Sequence, residues 1–281
     1  MRSHRFLSYF SYTANALVLA AVVLLLYGLI WNYSSRLYLK GFADAIVPLE
    51  GPPESKSYAL LNWIRNGPER NDATINGTAR LRDPVKIVQN ARLLKYCGSA
   101  TNAFINLASV AGVRARRLLL FDDSGGTKHV LAEVQSKGQW IVVDPSVGLV
   151  FKDHWGQPLT KEDLRDPEVF RDAISRMPGY SPTYTFDQTA HIHLRRIPVL
   201  GNLLRGTLSR LFSGWEDAID WGYFPENPSL WPIFVSSPVL FLGIFLRLVL
   251  YRYNRKSRGL AAVVSSARMM SAGHAPLYRS P

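Results

Sequence analysis

The sequence holds one cysteine, Cys97, in 281 residues. A single cysteine excludes an internal disulfide, which is the usual reason for keeping this residue in an exported domain. Cys97 therefore either packs as a small apolar side chain or acts chemically as a thiol.

Acidic residues are missing from both ends of the chain. Residues 1–40 carry four basic residues and residues 247–281 carry seven, and neither range contains Asp or Glu. The remaining 22 of the 33 basic residues lie between residues 41 and 246, and all 21 acidic residues lie there as well. The net charge of +12 is thus a property of the tails, and the middle lacks the basic surface of a nucleic-acid-binding domain.

Charge is also missing from a long run near the start. Residues 6–35 are uncharged, and their apolar centre predicts a membrane-spanning helix at 14–33. The run leads into Tyr27, Trp31 and Tyr33 and has no small-residue cleavage site, which indicates an uncleaved anchor with aromatic residues at the membrane interface.

A second uncharged run, residues 227–246, predicts another spanning helix at 229–251. Pro238 predicts a kink there, and a buried helix of a soluble domain is the alternative interpretation. The basic tails flank the two predicted spans, so the positive-inside rule predicts that residues 1–13 and 252–281 are cytoplasmic. We therefore expect a multi-pass protein of the cytoplasmic membrane whose middle faces the extracytoplasmic, periplasmic side. The tail at 252–281 is predicted to be disordered.

Residues 41–190 are predicted to form one extracytoplasmic domain. Apolar periodicity predicts helices at 57–65, 84–95, 97–111 and 161–177. Strands are predicted in the second half of 113–121, at 129–135 and at 140–144, with a tight turn at 136–138. A helix followed by an antiparallel meander is an α+β pattern.

Residues 191–228 are predicted to be a membrane-proximal segment. Leucines near helical spacing within 197–215 indicate an amphipathic helix, with arginines at other positions. Such a helix either lies on the outer membrane surface or packs on the core of the domain.

The candidate site centres on Cys97, which starts its predicted helix, where free N–H groups and the helix dipole favour a thiolate. A hairpin folded about Ser136 and Lys137 pairs His129 directly with Asp144 on the same face of the sheet. A bulge at Gly138 would instead move these two residues to opposite faces. With the direct pairing, Asp144 orients His129 and His129 activates Cys97.

These residues resemble the core of the transglutaminase-like superfamily. The resemblance rests on Tyr-Cys97-Gly-Ser-Ala-Thr-Asn, His129-Val-Leu-Ala-Glu-Val and Trp140-Ile-Val-Val-Asp144-Pro, and it covers residues 84–150. It implies a papain-like fold in which Cys97 is the nucleophile, His129 the general base and then acid, and Asp144 the orienting residue. Gln89 or Asn90 is expected to supply a side-chain donor to the oxyanion, beside the backbone N–H of Cys97.

The resemblance implies a thiol hydrolase or acyltransferase that acts on proteins, peptides or other amides, with protease and amidase activity both included. The basic, membrane-anchored setting indicates a substrate in the cell envelope. No cofactor and no metal are expected. The alternative from another class is a non-catalytic scaffold or binding module in cell-envelope or polysaccharide assembly. The oligomeric state stays open.

Three other patterns compete for a functional role. His154 is the rival to His129 as the base, and it lacks a partner across a hairpin. His191 and His193 are two residues apart, which would place both on one face of a strand as metal ligands. No second motif supplies the remaining ligands, so a zinc site is not expected. Asn76-Gly-Thr78 fits a glycosylation acceptor, which matters only in a eukaryotic secretory host.

Overall fold

The computed structural model describes residues 2–67, 82–192, 200–212, 215 and 226–272. The chain divides into two units, one made of residues 1–30 with 231–281 and the other of residues 31–230. The glycosylation motif at Asn76, the histidine at position 193 and residues 273–281 lie outside the described residues.

Two long helices contribute to the first unit. Helix α1 spans Arg2–Asp44 and helix α7 spans Leu230–Ala272, with Pro238 inside α7. Both are long and apolar enough to cross a membrane, over Tyr12–Asp44 and Leu230–Arg252. The prediction of a disordered tail from residue 252 is corrected as far as Ala272, because the helical backbone continues through that range.

Small residues lie where these two helices approach each other. Ala14 and Ala21 are buried on α1, and Gly28 follows at the same seven-residue spacing. On α7, a Cβ at Gly243 would lie 2.5 Å from Cγ2 of Val18, so the helices approach closely only because that atom is missing. Seven-residue spacing of small residues is a pattern of closely packed helix pairs.

The second unit contains the α+β domain. Helix α2 spans Pro53–Asn66, α3 spans Pro84–Gln89 and α4 spans Cys97–Val110. The predicted helix at 84–95 is in fact two elements, since a 3₁₀ helix at Ala91–Lys95 follows α3. Asp83 caps α3 by accepting a hydrogen bond from the Val85 N–H, as its position before Pro84 predicts.

A five-stranded antiparallel sheet packs against these helices. Its strands are β1 (Ala115–Phe121), β2 (Thr127–Ser136), β3 (Gln139–Asp144), β4 (Leu149–Val150) and β5 (Thr189–Ala190). They lie in the order β4-β3-β2-β1-β5. The coarse prediction of an α+β fold is confirmed, and β4 and β5 are short edge strands that the apolar pattern did not indicate.

The β2–β3 hairpin has a different register from the predicted one. Ser136 pairs with Gln139, so the turn consists of Lys137 and Gly138, both with positive φ (48° and 83°). Two consecutive residues with positive φ make a type I′ turn, which matches the twist of the flanking strands. The direct pairing of His129 with Asp144 was therefore wrong by two residues. A two-residue shift keeps every side chain on its own face, so both remain on the same side of the sheet.

Apolar side chains cover both faces of the sheet. One cluster joins α2, α3 and α4 to one face and includes Leu60, Ile64, Phe104, Leu107, Val134 and Val143. The other covers the opposite face and includes Leu118, Leu131, Val142, Phe151, Phe170 and Phe186. The sheet is thus a buried central layer, and side chains at its ends can be held rigidly.

The segments after the sheet are shorter than predicted. The helix expected at 161–177 consists of a 3₁₀ turn at Asp163–Arg165 followed by α5, Pro167–Ser175, which Asp166 caps. Helix α6 spans Leu200–Leu211 within the predicted amphipathic segment. At its end Leu211 and Phe212 are exposed.

Candidate active site

Cys97 is the first residue of α4 and is partly exposed to solvent. The side chain of Tyr96, the preceding residue, does not cap the helix. The first N–H groups of α4 thus have no partner within the helix. A Cβ at Gly98, the next residue, would meet no atom within 4 Å, so the first turn of α4 borders open space at that position. The thiol is reachable, which a purely packing role does not require.

His129 lies near the start of β2, opposite Leu120 of β1. The pairing of the two strands shifts at this point, since Phe121 pairs with Thr127 and not with Lys128. Such a bulge re-aims the neighbouring side chain, and here that side chain is the buried imidazole of His129. The imidazole neighbours the thiol of Cys97, and each of the two groups shifts the pKa of the other.

Asp144, at the end of β3, completes the chain of hydrogen bonds. Its Oδ2 accepts from Nε2 of His129 at 2.7 Å. Its Oδ1 accepts from the backbone N–H and the hydroxyl of Ser146, at 2.9 and 2.6 Å. Because Nε2 is engaged by Asp144, Nδ1 is the imidazole nitrogen left to meet the thiol. The structure thus brings Cys97, His129 and Asp144 together in the predicted order.

The charges at the site favour an ion pair between thiolate and imidazolium. Burial alone would raise the pKa of Cys97, but the hydrogen bond and charge of His129, with the N–H groups of Val130 and Gly98, lower it overall. Burial alone would lower the pKa of His129, but the hydrogen bonds and charges of Asp144 and Cys97 raise it to about 9. Each partner favours the charged form of the other, which is how a thiol becomes a nucleophile near neutral pH.

Two tyrosines complete the site. The hydroxyl of Tyr180 donates to Oδ2 of Asp144 at 2.9 Å, and burial together with the Asp144 charge raises the pKa of Tyr180. The ring of Tyr184 stacks on His129, with the two rings 4.5 Å apart and 5° from parallel. An aromatic face over an imidazolium stabilises its charge and shields it from water. Sequence reasoning missed both tyrosines, because they lie in an irregular segment that has no periodicity to read.

One further contact fixes the helix on the strand. Thr101 lies one turn after Cys97 on α4, and its hydroxyl donates to the carbonyl oxygen of Val130 at 3.1 Å. The backbone N–H of that same Val130 contributes to the lowered pKa of the Cys97 thiol. The Thr101 hydrogen bond therefore fixes the first turn of α4, which carries the thiol, to the residue that follows His129 on β2.

The expected oxyanion donors have unequal support. Gln89 ends α3 and Asn90 follows it, and both are exposed. Among the residues that the structure describes, no hydrogen bond connects either side chain to Cys97, His129 or Asp144. The backbone N–H of Cys97, at an uncapped helix start, is the donor that the geometry favours.

The competing histidines lie elsewhere. His154 is in an exposed turn against Trp155. His191 is buried, and its Nε2 is 2.8 Å from Oε2 of Glu133, which also accepts from Arg116 at 2.7 Å. Within residues 2–67, 82–192, 200–212, 215 and 226–272, no group of three or more His, Cys, Asp or Glu side chains is placed to hold a metal ion.

Comparison of the chain with family models, with curated proteins and with solved structures gives no match.

Proposed function

We propose that this chain is a membrane-anchored cysteine enzyme of the transglutaminase-like type, which transfers or hydrolyses acyl groups of amide or peptide substrates. The observation that carries the proposal is the placement of the Cys97 thiol beside the buried imidazole of His129, which is itself hydrogen-bonded to Asp144. A buried histidine whose pKa is raised to about 9, next to a partly exposed thiol whose pKa is lowered, is an arrangement with little structural purpose of its own.

In the proposed reaction the Cys97 thiolate attacks the substrate carbonyl carbon. A C–S bond forms, the negative charge moves to the carbonyl oxygen, and the backbone N–H of Cys97 stabilises this oxyanion. The C–N bond then breaks, and the leaving amine takes the proton of the His129 imidazolium. Water or a second amine then attacks the thioester carbonyl, and His129 removes the proton of this attacking molecule. The C–S bond breaks, which regenerates the Cys97 thiolate and releases the acid or the new amide as product.

Asp144 and the two tyrosines support these proton movements. Asp144 holds Nε2 of His129, so that the other ring nitrogen stays directed at the sulfur. Tyr184 covers one face of the ring and Tyr180 fixes the carboxylate. With the imidazole held on three sides, its proton can pass only toward the thiol and the substrate.

The membrane anchoring is supported by which side chains of α1 and α7 are exposed. Large apolar residues face outward: Leu19 is 66% exposed, Val23 60% and Phe241 76%. Small residues face inward, and this is the reverse of a helix pair in a water-soluble protein. Both helices therefore suit lipid. With the basic tails on the cytoplasmic side, the domain between them lies outside the cytoplasmic membrane.

Alkylation of the full chain in detergent by soluble iodoacetamide tests the proposal. Because Cys97 is the only cysteine, its reaction rate is read without interference, and Cys97→Ser supplies the blank. We expect His129→Ala to slow alkylation at pH 7 by about tenfold or more, since each pKa unit regained by the thiol lowers the thiolate fraction about tenfold. His154→Ala is the matched control and is expected to leave the rate unchanged.

An ordinary thiol rate that His129→Ala does not alter would refute the catalytic role and leave the scaffold alternative. If the thiol is activated, mass spectrometry of the chain purified from cells is expected to find an acyl group on Cys97. The mass of that group would identify the substrate.

A further inference from the structure

A second polar cluster fixes the end of the domain to the helix that carries Cys97. Asn102 of α4 donates from Nδ2 to the backbone oxygen of Glu226 at 2.8 Å and to its Oε2 at 2.6 Å. Asn106, one turn later, donates to the same backbone oxygen at 3.3 Å, and Arg117 of β1 pairs with Oε1. We call these four residues the Glu226 notch. Glu226 is 3% exposed, so its carboxylate is held by the domain and not by water.

The Glu226 notch lies just before the second predicted span. The Leu230 N–H donates to the Asn227 oxygen, so the chain makes one turn between Glu226 and the first residue of α7. The hydroxyl of Ser229 donates to Oδ1 of Asn32 on α1. Within the second unit, the places where the chain enters and leaves the domain are therefore held together at one point.

These contacts bound the distance between the thiol and that point. From Cys97 to Asn102 the α4 axis covers about 8 Å. A side-chain hydrogen bond between Asn102 and Glu226 separates their Cα atoms by about 7 Å. The turn from Glu226 to Leu230 adds at most about 11 Å. The thiol thus lies within about 25 Å of the start of α7, whereas a 200-residue domain is about 40 Å across.

We propose that the Cys97 site acts on an amide or ester carried by a lipid anchor in the same membrane. This inference rests on the proposed function and on the two spans. Within the second unit, the hydrogen bonds of Asn102 to Glu226 and of Leu230 to Asn227 connect α4 to the first residue of α7, so the thiol stays within about 25 Å of Leu230. The headgroup layer of a bilayer is about 5–8 Å thick on each side, so an amide or ester carried just above it can lie within about 25 Å of the start of a spanning helix. The carbonyl of such a group is thus within reach of the thiol.

A molecular ruler tests the proposal on the full chain in phosphatidylcholine vesicles. The probes are phosphatidylethanolamines whose headgroup carries iodoacetamide at the end of two, eight or sixteen prolines, which reach about 6, 25 and 50 Å in the polyproline II conformation. We expect at least one of the two shorter probes, with reaches of about 6 and 25 Å, to label Cys97 at a rate no lower than that of the probe with the longest reach. Labelling is expected to be about tenfold faster or more than with the probe in separate vesicles, because a shared membrane raises the effective concentration.

Two controls calibrate the ruler. Cys97→Ser is expected to take up no label, and adding Ser34→Cys to that variant places a thiol on an exposed position of α1 two residues after Asn32. The second variant is expected to react with the shortest spacer.

The outcomes separate this inference from the proposed function. Labelling only by the longest spacer, or equal rates in shared and separate vesicles, overturns the lipid-anchored substrate even when His129→Ala slows soluble iodoacetamide. If His129→Ala leaves the soluble rate unchanged, the proposed function fails while the measured reach stands. A Cys97 that neither soluble nor anchored iodoacetamide labels overturns both.

Discussion

Replacing Asp144 by asparagine gives the sharpest test of the site, because the carboxylate is fully buried and accepts four hydrogen bonds. Oδ2 receives those of His129 and Tyr180, and Oδ1 receives both from Ser146. An amide of the same shape offers only one acceptor oxygen. In either orientation, Asp144→Asn therefore turns an NH₂ group toward two donors.

The cost follows from that mismatch. A buried donor left without an acceptor costs about 1–3 kcal/mol, and two are displaced, so we expect Asp144→Asn to lose about 2–4 kcal/mol of unfolding free energy. The lost charge also lowers the pKa of His129 from about 9, since burial then acts against only the hydrogen bond and charge of Cys97. With a weaker cation beside it, the pKa of Cys97 rises, and alkylation at pH 7 is expected to slow by about 10- to 100-fold.

The pH profile distinguishes this effect from simple unfolding. In the wild type, acyl transfer is expected to fall on the acid side as the Cys97 thiolate is protonated. On the alkaline side it falls as His129 loses its proton at about pH 9. Asp144→Asn is expected to move the alkaline limb to lower pH. The matched control, Tyr180→Phe, removes one donor and no charge, and we expect it to keep the alkylation rate within about threefold.

The reasoning is refuted if Asp144→Asn, folded by circular dichroism, alkylates at the wild-type rate with an unmoved alkaline limb. That result would mean that Asp144 serves the fold alone.

Three further predictions follow from named contacts. Tyr184→Leu is expected to slow alkylation at pH 8 by about three- to tenfold, because it removes the aromatic ring that stacks on His129, whereas Tyr184→Phe is expected to keep the wild-type rate. Equal rates in the wild type and both variants would contradict the stacking argument. Gly243→Leu is expected to lower the melting temperature in detergent by driving a side chain into Val18, and an unchanged melting temperature would argue against the helix pair. Glu226→Ala is expected to cost about 1–3 kcal/mol in urea unfolding, because it leaves the partly buried guanidinium of Arg117 and the buried amide of Asn102 without the carboxylate that accepts from them. A loss below about 0.5 kcal/mol would show that the Glu226 notch does not hold the domain.

The alternation of apolar residues predicted the hairpin and the shared face of His129 and Asp144, although the register was wrong. Alternation has a period of two, so an error of two residues leaves faces unchanged. The turn itself decides the register, and a lysine with positive φ before Gly138 is too uncommon to be read from the chain. In the structure, His129 and Asp144 are diagonal neighbours on adjacent strands. The reach of the histidine side chain and the bulge at Lys128 allow their hydrogen bond.

The sequence alone determined the uncharged runs, the basic tails, the helix start at Cys97 and the types of side chain available for chemistry, since all of these depend on near neighbours along the chain. Only the tertiary structure decided that Tyr180 and Tyr184 close the site and that Glu226 joins α4. Asp144 and Tyr180 are 36 positions apart in the sequence, His129 and Tyr184 are 55 apart, and Asn102 and Glu226 are 124 apart. Such pairings depend on how whole elements pack, and no local period in the sequence encodes them.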